Sequence, residues 1–420
     1  MKGKERTMRT RVQATLLMVA AALVVVACGG GGGASQGGSE TIKIGSLHPL
    51  TGPLAVDGKR MDQAVKMAIE DINKAGGIEA LDGAKLEFIS GDTKGEPETA
   101  SSEAQRMIDE GAVALVGPYT SATAATIART AERSQVPFII DVATADSILA
   151  QGYRYTFRIQ PGSQTMGEYG ARYLKEISEA QGSPVESVAY IHESSEFGTS
   201  VFEAFQKEAQ RLGIEVVREI TYDALNVSDL TSELTQAKAA DADVIVATGY
   251  YRDGLLLAQA AANVKPDVKA VYGVANGAFD LDTFPEDAGD NGNYYLSSNY
   301  HYDATSDRAR KLRQRFEERT GESMRTAAVF SYQAVEVIAD ALERAGSSEP
   351  QELRDAIAET SLQTELFPFD GPIEFDDRGQ NVNAQPIVMQ VQDGEVVQVY
   401  PEKYAQEEPI FPATPWSEGR

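Results

Sequence analysis

The stretch TIKIGSLHPLTGPLAVDG (41–58) decides how this chain is read. Thr41–Ser46 alternates apolar and polar residues and then runs into glycine and serine, the signature of a short strand that ends in a loop. Directly after it, residues 58–73 carry Met61, Ala64, Val65, Ala68 and Ile72 on one helical face, and Gly76-Gly77 ends that helix. The alternation continues outward: strands are predicted at Leu86–Ser90, Ala112–Val116 and Pro137–Asp141, helices at Ala100–Glu110 and Ser121–Ser134. The strands are short and apolar throughout, as expected when helices cover both faces of a parallel sheet. The pattern restarts after Gln160-Pro161-Gly162 with helices at Met166–Ser178, Gly198–Leu212, Leu230–Ala240 and Asp253–Asn263. Between them lie strands at Val188–His192, Ile214–Glu219, Val244–Thr248 and Ala270–Val274. Helices at Ser306–Arg319, Thr326–Ala345 and Pro350–Thr360 follow, then β structure at Pro372–Phe375 and Pro386–Tyr400. The fold class is α/β, with two successive doubly wound parallel-sheet lobes.

The chain has 420 residues, enough for two domains, and a formal net charge of -25. Such an acidic balance argues against binding nucleic acid or an anionic membrane surface, both of which call for clustered Lys and Arg. A single cysteine, Cys28, rules out an internal disulfide. Lys2, Lys4, Arg6, Arg9 and Arg11 precede an unbroken apolar run, Leu16–Ala27, which is too short to span a bilayer and fits a secretory signal. Val25-Val26-Ala27-Cys28 completes it and resembles a bacterial lipobox. The expectation is a signal peptide at 1–27, a lipidated Cys28 and a glycine-rich tether over 28–40.

Positive signs of catalysis are missing. Histidines 48, 192 and 301 show no metal-ligand spacing, and no G-x-S-x-G elbow, P-loop or G-x-G-x-x-G is present. No cofactor, no metal and no enzymatic activity are expected. Asp280, Asp282, Asp287 and Asp290 do not follow a calcium-loop spacing and read as a solvated acidic loop. Three strand ends read as binding loops. The first, from His48 to Gly58, presents Asp57. The second, Gly117–Thr123, opens a helix whose free N–H groups and hydroxyls suit a carboxylate. The third, Asp141–Ala145, offers Thr144. Each has a plainer alternative, respectively an N-capping aspartate, a Ser/Thr cap and a tight turn.

Taken in order, IKIGSLHPLTGPLAVDG (42–58), AIEDINKAGGI (68–78), GPYTSAT (117–123), VPFIIDVATADSI (136–148), GYRYTFRIQP (152–161), HESSEFG (192–198) and GYYRDGLLLAQAA (249–261) resemble the leucine/isoleucine/valine-binding branch of the type I periplasmic binding proteins. The resemblance implies two lobes joined by a three-crossover hinge near Gln160–Gly162, Ser297–Tyr302 and Gly371–Phe375. Lobe one would be 41–160 plus 301–372, lobe two 161–300 plus 373–400, with a tail at 401–420. It implies capture of an amino acid, branched-chain or similar, for an ABC permease, by a monomer held to the outer face of the membrane through its lipid alone. Aromatic or aliphatic carboxylates, small amides, and a sensory module of the same fold are the alternatives. Carried over residue by residue, Ser121 and Thr144 hold a carboxylate, with backbone around Tyr119, Val142 and Ala143. Phe197 and Tyr250, or its neighbour Tyr251, supply aromatic walls. Where amino-acid binders of the family place an acid for the ammonium, this chain has Asn276, and Asp57 is the candidate replacement.

Overall fold

The structure, a computed structural model, describes residues 41–289 and 292–416. The expected signal segment, Cys28, the tether, Asp290 and residues 417–420 of the tail lie outside the described residues. Two sheets organise the chain. The first has five strands in the order β2 (Leu86–Asp92), β1 (Ile42–His48), β3 (Ala112–Gly117), β4 (Phe138–Ile140) and β5 (Thr156–Arg158), all paired in parallel. Alternation along each strand sends side chains to two separate cores. Ala114 and Val116 of β3 face one, while Ala112 and Leu115 face the other. Helix α1 (Ala55–Ala75) covers the first face, and α2 (Pro97–Asp109) and α3 (Ser121–Ser134) cover the second.

The second sheet has seven strands, ordered β14 (Glu395–Tyr400), β13 (Ile387–Gln392), β10 (Leu296–Asn299), β9 (Ala270–Asn276), β8 (Val244–Gly249), β6 (Ser187–Glu193) and β7 (Glu215–Tyr222). Strands β6 to β10 run in parallel, whereas β13 and β14 are antiparallel additions, so the sheet is mixed rather than wholly parallel. The cause is local: β13 and β14 are joined through Asp393 (φ 51°) and Gly394 (φ 81°), a tight turn that reverses the chain. Helices α4 (Ser163–Ala180) and α5 (Glu196–Leu212) pack on one face, α6 (Thr231–Ala239) and α7 (Tyr251–Val264) on the other. After the short α8 (Phe284–Ala288) and β10, helices α9 (Asp307–Thr320), α10 (Thr326–Ala345) and α11 (Pro350–Ala358) follow, and α10 packs against α1 beside the first sheet.

The chain therefore passes between the two layers three times: at 159–162, at 300–306, and after β12 (Ile373–Glu374), which still pairs with β11 (Ser361–Leu362). Ser297–Asn299 belong to β10, so the second passage starts only at Tyr300. The third passage comes later than Gly371–Phe375, because the Phe375 ring still packs 5.2 Å from Phe157 of β5. The first and third passages are tied together. Gln380 Nε2 donates to the Gln160 carbonyl at 2.9 Å, and Asn381 Nδ2 donates to the Ile159 carbonyl at 2.8 Å.

Two glycines are fixed by close approach. Gly58 lies inside α1 rather than at its start, and a Cβ there would meet Pro49 O at 2.0 Å. Gly117 ends β3 at φ 137°, with space for a Cβ only 2.3 Å from Leu47 O. Gly117→Ala is expected to cost about 2 kcal/mol or more, from backbone strain plus the clash. Urea unfolding measures this, and an unchanged midpoint would contradict the contact between β3 and the end of β1.

Candidate functional site

The carboxyl ends of both sheets converge on one cavity. From the first-sheet side it is lined by Tyr119, Ser121, Val142, Ala143 and Thr144, and from the second by Phe197, Gly249, Tyr250, Ala275, Gly277 and Asn299, with Tyr300 at the second passage. Seven of the nine sequence-predicted ligand residues thus share one wall-to-wall space: Tyr119, Ser121, Val142, Ala143, Thr144, Phe197 and Tyr250. Three rings close it across the two layers, with centroids 5.6 Å apart for Tyr119–Tyr250 and 5.2 Å apart for Phe197–Tyr250. Burial raises the phenols of Tyr119, Tyr250 and Tyr300 above their ordinary pKa, so all three stay protonated.

Three helices begin at this cavity, and they differ in how their first N–H groups are satisfied. In α5 the cap Ser195 accepts from the Phe197 N–H, and Glu193 accepts from the N–H groups of Ser195 (2.8 Å) and Gly198 (2.6 Å). In α7 the Asp253 carboxylate accepts from the Tyr250 N–H at 3.0 Å and from the Tyr222 hydroxyl at 2.5 Å. No side chain caps α3, because Thr120 directs its hydroxyl to Thr123 at 2.7 Å. Its first-turn N–H groups and the positive end of its dipole are therefore available at the cavity wall. Ser121 Oγ accepts from the Ala145 N–H at 3.1 Å, and Thr144 Oγ1 accepts from Ser163 Oγ at 3.1 Å. Each of these hydroxyls keeps its own proton for another acceptor.

The loop that carries Val142, Ala143 and Thr144 is held from beneath. Asp141 accepts from Ser331 Oγ at 2.6 Å and contacts His48 Nε2 at 2.8 Å. Arg158, 1% exposed at the end of β5, donates to the carbonyls of Thr144 (2.5 Å) and Ala145 (3.0 Å), to Gln380 Oε1 (2.6 Å) and to Asp146. Burial lowers its pKa, and the Asp146 carboxylate opposes that shift. Gln160 Nε2 donates to the Ala143 carbonyl at 2.7 Å.

Two expected ligand residues fall elsewhere. Asp57 sits in the first turn of α1, where Leu54 and not Asp57 is the N-cap, and it does not line this cavity. Its carboxylate pairs with Arg325 Nη1 at 3.0 Å and accepts from Tyr119 Oη at 3.3 Å, so its charge is already matched. Asn276 turns away as well: its Oδ1 accepts from the Ala278 N–H at 3.0 Å, and its carbonyl accepts from Asn299 Nδ2 at 3.0 Å. Of the acidic stretch after β9, Asp282 and Asp287 are exposed as expected of a solvated loop, and Asp280 alone departs from that reading. Asp280 is 1% exposed and takes Asn299 Nδ2 on both oxygens at 3.3 Å, Asp282 pairs with Arg313, and Asp287 accepts from Tyr251 Oη at 2.9 Å.

Asn299, Tyr300, Arg158 and Arg325 were not found by reading the sequence. The signal for the first two was the run Tyr294–Tyr300, within which Leu296–Asn299 forms the buried β10 instead of a linker.

Arg158→Met is expected to lower stability by about 3 kcal/mol or more, because two carbonyls, Gln380 and Asp146 lose a buried cation together. Equal unfolding midpoints for variant and parent in denaturant would remove Arg158 as an anchor. Burial also pushes the carboxyls of Asp280 and Asp253 up to about 7. A carboxyl raised by folding contributes stability below its ordinary pKa of 3.8, and that contribution is lost as pH rises through about 7. Asp280→Asn should therefore gain in melting temperature over the parent between about pH 5 and about pH 8. A difference in Tm that stays constant across that range counts against a titrating Asp280.

Comparison with known proteins gives a consistent picture. The profile of the periplasmic binding protein family matches residues 41–395. A Leu/Ile/Val-binding protein homolog 7 from Brucella suis is 28% identical over 383 residues, covering 87% of this chain and 93% of that protein. Among solved structures, the branched-chain amino acid transporter substrate-binding protein of Streptococcus pneumoniae, in complex with isoleucine, is 25% identical with a TM-score of 0.71, over 86% of this chain and 100% of that one. A solute-binding protein of an ABC transporter from R. palustris, in complex with benzoate, is 18% identical with a TM-score of 0.72, over 86% and 95%, and shares the fold. With a family match running from β1 into the final hairpin, and with the paired α/β sheets shared by these neighbours, the chain belongs to the periplasmic binding protein family.

Proposed function

We propose that this protein captures a small carboxylate-bearing solute, an amino acid in the first instance, between its two α/β layers and delivers it to an ABC permease. The observation that carries this reading is the uncapped start of α3 beside Ser121 and Thr144. It offers N–H groups, two hydroxyl protons and a positive dipole end to one anionic group in a buried cavity. On the opposite wall, α5 and α7 begin with their N–H groups already engaged by Glu193 and Asp253. Polarity thus differs across the cavity, with donors on one side and carboxylate-backed loops on the other, an arrangement suited to a zwitterion.

Capture involves no covalent step. The first layer binds the carboxylate through α3, and Phe197 and Tyr250 then close over the rest of the molecule. Closing excludes water and strengthens the polar contacts. In this reading the two sheets are the two lobes, and the three passages between them are the hinge. The protein works outside the cytoplasmic membrane, tethered by a lipid on Cys28. A non-amino carboxylate is the second reading, favoured by one observation: among the described residues no carboxylate lines the cavity, while four aromatic rings, Tyr119, Phe197, Tyr250 and Tyr300, do.

Isothermal titration with isoleucine, its des-amino analogue and benzoate tests both readings. Ser121→Ala is expected to weaken the bound carboxylate about tenfold or more, the loss of one hydrogen bond to a charged group. Equal affinity of variant and parent takes Ser121 out of the site. Tighter binding of isoleucine than of its des-amino analogue separates the first reading from the second.

A further inference from the structure

The cavity does not end at Asn299 and Tyr300. A second space adjoins it and shares Tyr119, Gly277, Asn299 and Tyr300 with it. Its far wall is Asp57, Asp280, Arg325 and Thr326. Arg325 is the N-cap residue of α10 and Thr326 its first residue, and they are 6% and 3% exposed. Arg325 Nη1 is matched by Asp57, and its guanidinium carbon lies 3.9 Å from the ring centroid of Tyr251, across the two layers. Arg325 Nε and Thr326 Oγ1, by contrast, are buried with no hydrogen-bond partner among the described residues.

Buried polar groups without partners are costly, and a natural protein rarely keeps two of them side by side around an open space. Here they sit on residues that line the continuation of the ligand cavity. The near end of the cavity offers donors for a carboxylate, and its middle is walled by Tyr119 and Tyr300. The residues of the far end carry an unpaired N–H that only donates and an unpaired hydroxyl that both donates and accepts. A purely aliphatic side chain reaching that point would leave both unpaired.

We infer that Arg325 and Thr326 form a distal subsite, and that the solute carries a hydrogen-bond acceptor (an amide, hydroxyl or similar uncharged oxygen) at the end opposite its carboxylate. The acceptor is uncharged because Asp57 already neutralises Arg325. This rests on the carboxylate reading of the near end and narrows it: polar-ended amino acids or hydroxylated aromatic acids fit the two-part cavity better than plain hydrocarbon ones. Arg325 and Thr326 thereby set specificity, while Ser121 and Thr144 set the common anchor.

The test uses two matched pairs of probes on the full chain: asparagine against leucine, and 4-hydroxybenzoate against benzoate. Titration calorimetry should show the oxygen-bearing member of at least one pair binding about tenfold or more tightly than its partner. Because Arg325→Met would strand Asp57, the variants are Thr326→Val and Arg325→Lys, the latter keeping a positive charge opposite Asp57 while removing the Nε–H. Together they should erase that preference, bringing the oxygen-bearing member to within about threefold of its hydrocarbon partner on the same variant. Hydrocarbon members that bind as well as or better than their partners in both pairs overturn the distal subsite and leave the near-end reading standing. A preference that survives in the double variant overturns it too. Failure of all four probes to bind overturns the near-end reading and the subsite with it.

Discussion

The architecture of the site depends on one buried cation. Arg158 sits at the end of the last strand of the first sheet, where the chain is about to leave for the second layer. Its guanidinium holds two carbonyls of the loop that carries Thr144, and at the same time holds Gln380, which in turn bonds the Gln160 carbonyl. A planar five-donor fork satisfies several fixed acceptors at once, which an ammonium cannot do with the same geometry. The position of the ligand loop and the path of two of the three passages are thus set by the same group. Any rotation of the layers must pivot close to it, since the adjoining backbone is already committed.

Around that anchor, the polar wiring of the two layers is unequal. On the first-sheet side the buried network of Ser46, His48, Asp141 and Ser331 fastens the floor of the loop while leaving the start of α3 uncapped. On the second-sheet side Glu193 and Asp253 fold back on their own helices, fixing Phe197 and Tyr250 as walls. Donors are held in reserve on one side and used up on the other. This inequality sets the start of α3, proposed to receive an anion, apart from two helix ends whose N–H groups are already engaged.

How much of this was legible in the sequence follows from the range of the interactions. Strands such as Ala112–Val116 and the helices at Ser121–Ser134 and Thr326–Ala345 were readable because periodicity is a local property. Ser121 and Thr144 were readable because strand-to-helix loops announce themselves. The short strands β5 and β10 were not: three or four residues carry no period, and β10 buries Ser297, Ser298 and Asn299, which read as linker. Asp57 was read as free for an ammonium because its partner, Arg325, lies 268 residues further along the chain. No local pattern reports a pairing at that distance. Asp280 likewise read as solvated until β10 brought Asn299 over it.

The contacts between the layers also bear on the proposed capture of a solute. Apart from the aromatic rings, the ties across the cleft include Arg313 with Asp282, Arg325 over Tyr251, and Ser147 with Glu196. The first is partly open to solvent, with the Asp282 side chain 41% exposed, and pairs of that kind are worth about 0–1 kcal/mol. Against them stands the burial of the α3 N–H groups, two hydroxyl protons and the open donors near Arg325, each costly to desolvate without an acceptor. The arrangement of the two layers is therefore weakly held by its surface contacts, while its buried donors call for an acceptor. In the proposed reading, a molecule that satisfies both ends would remove the penalty and tip the balance. One that satisfies only the near end would remove part of it, so the groups proposed to anchor the solute would also decide which solutes close the protein.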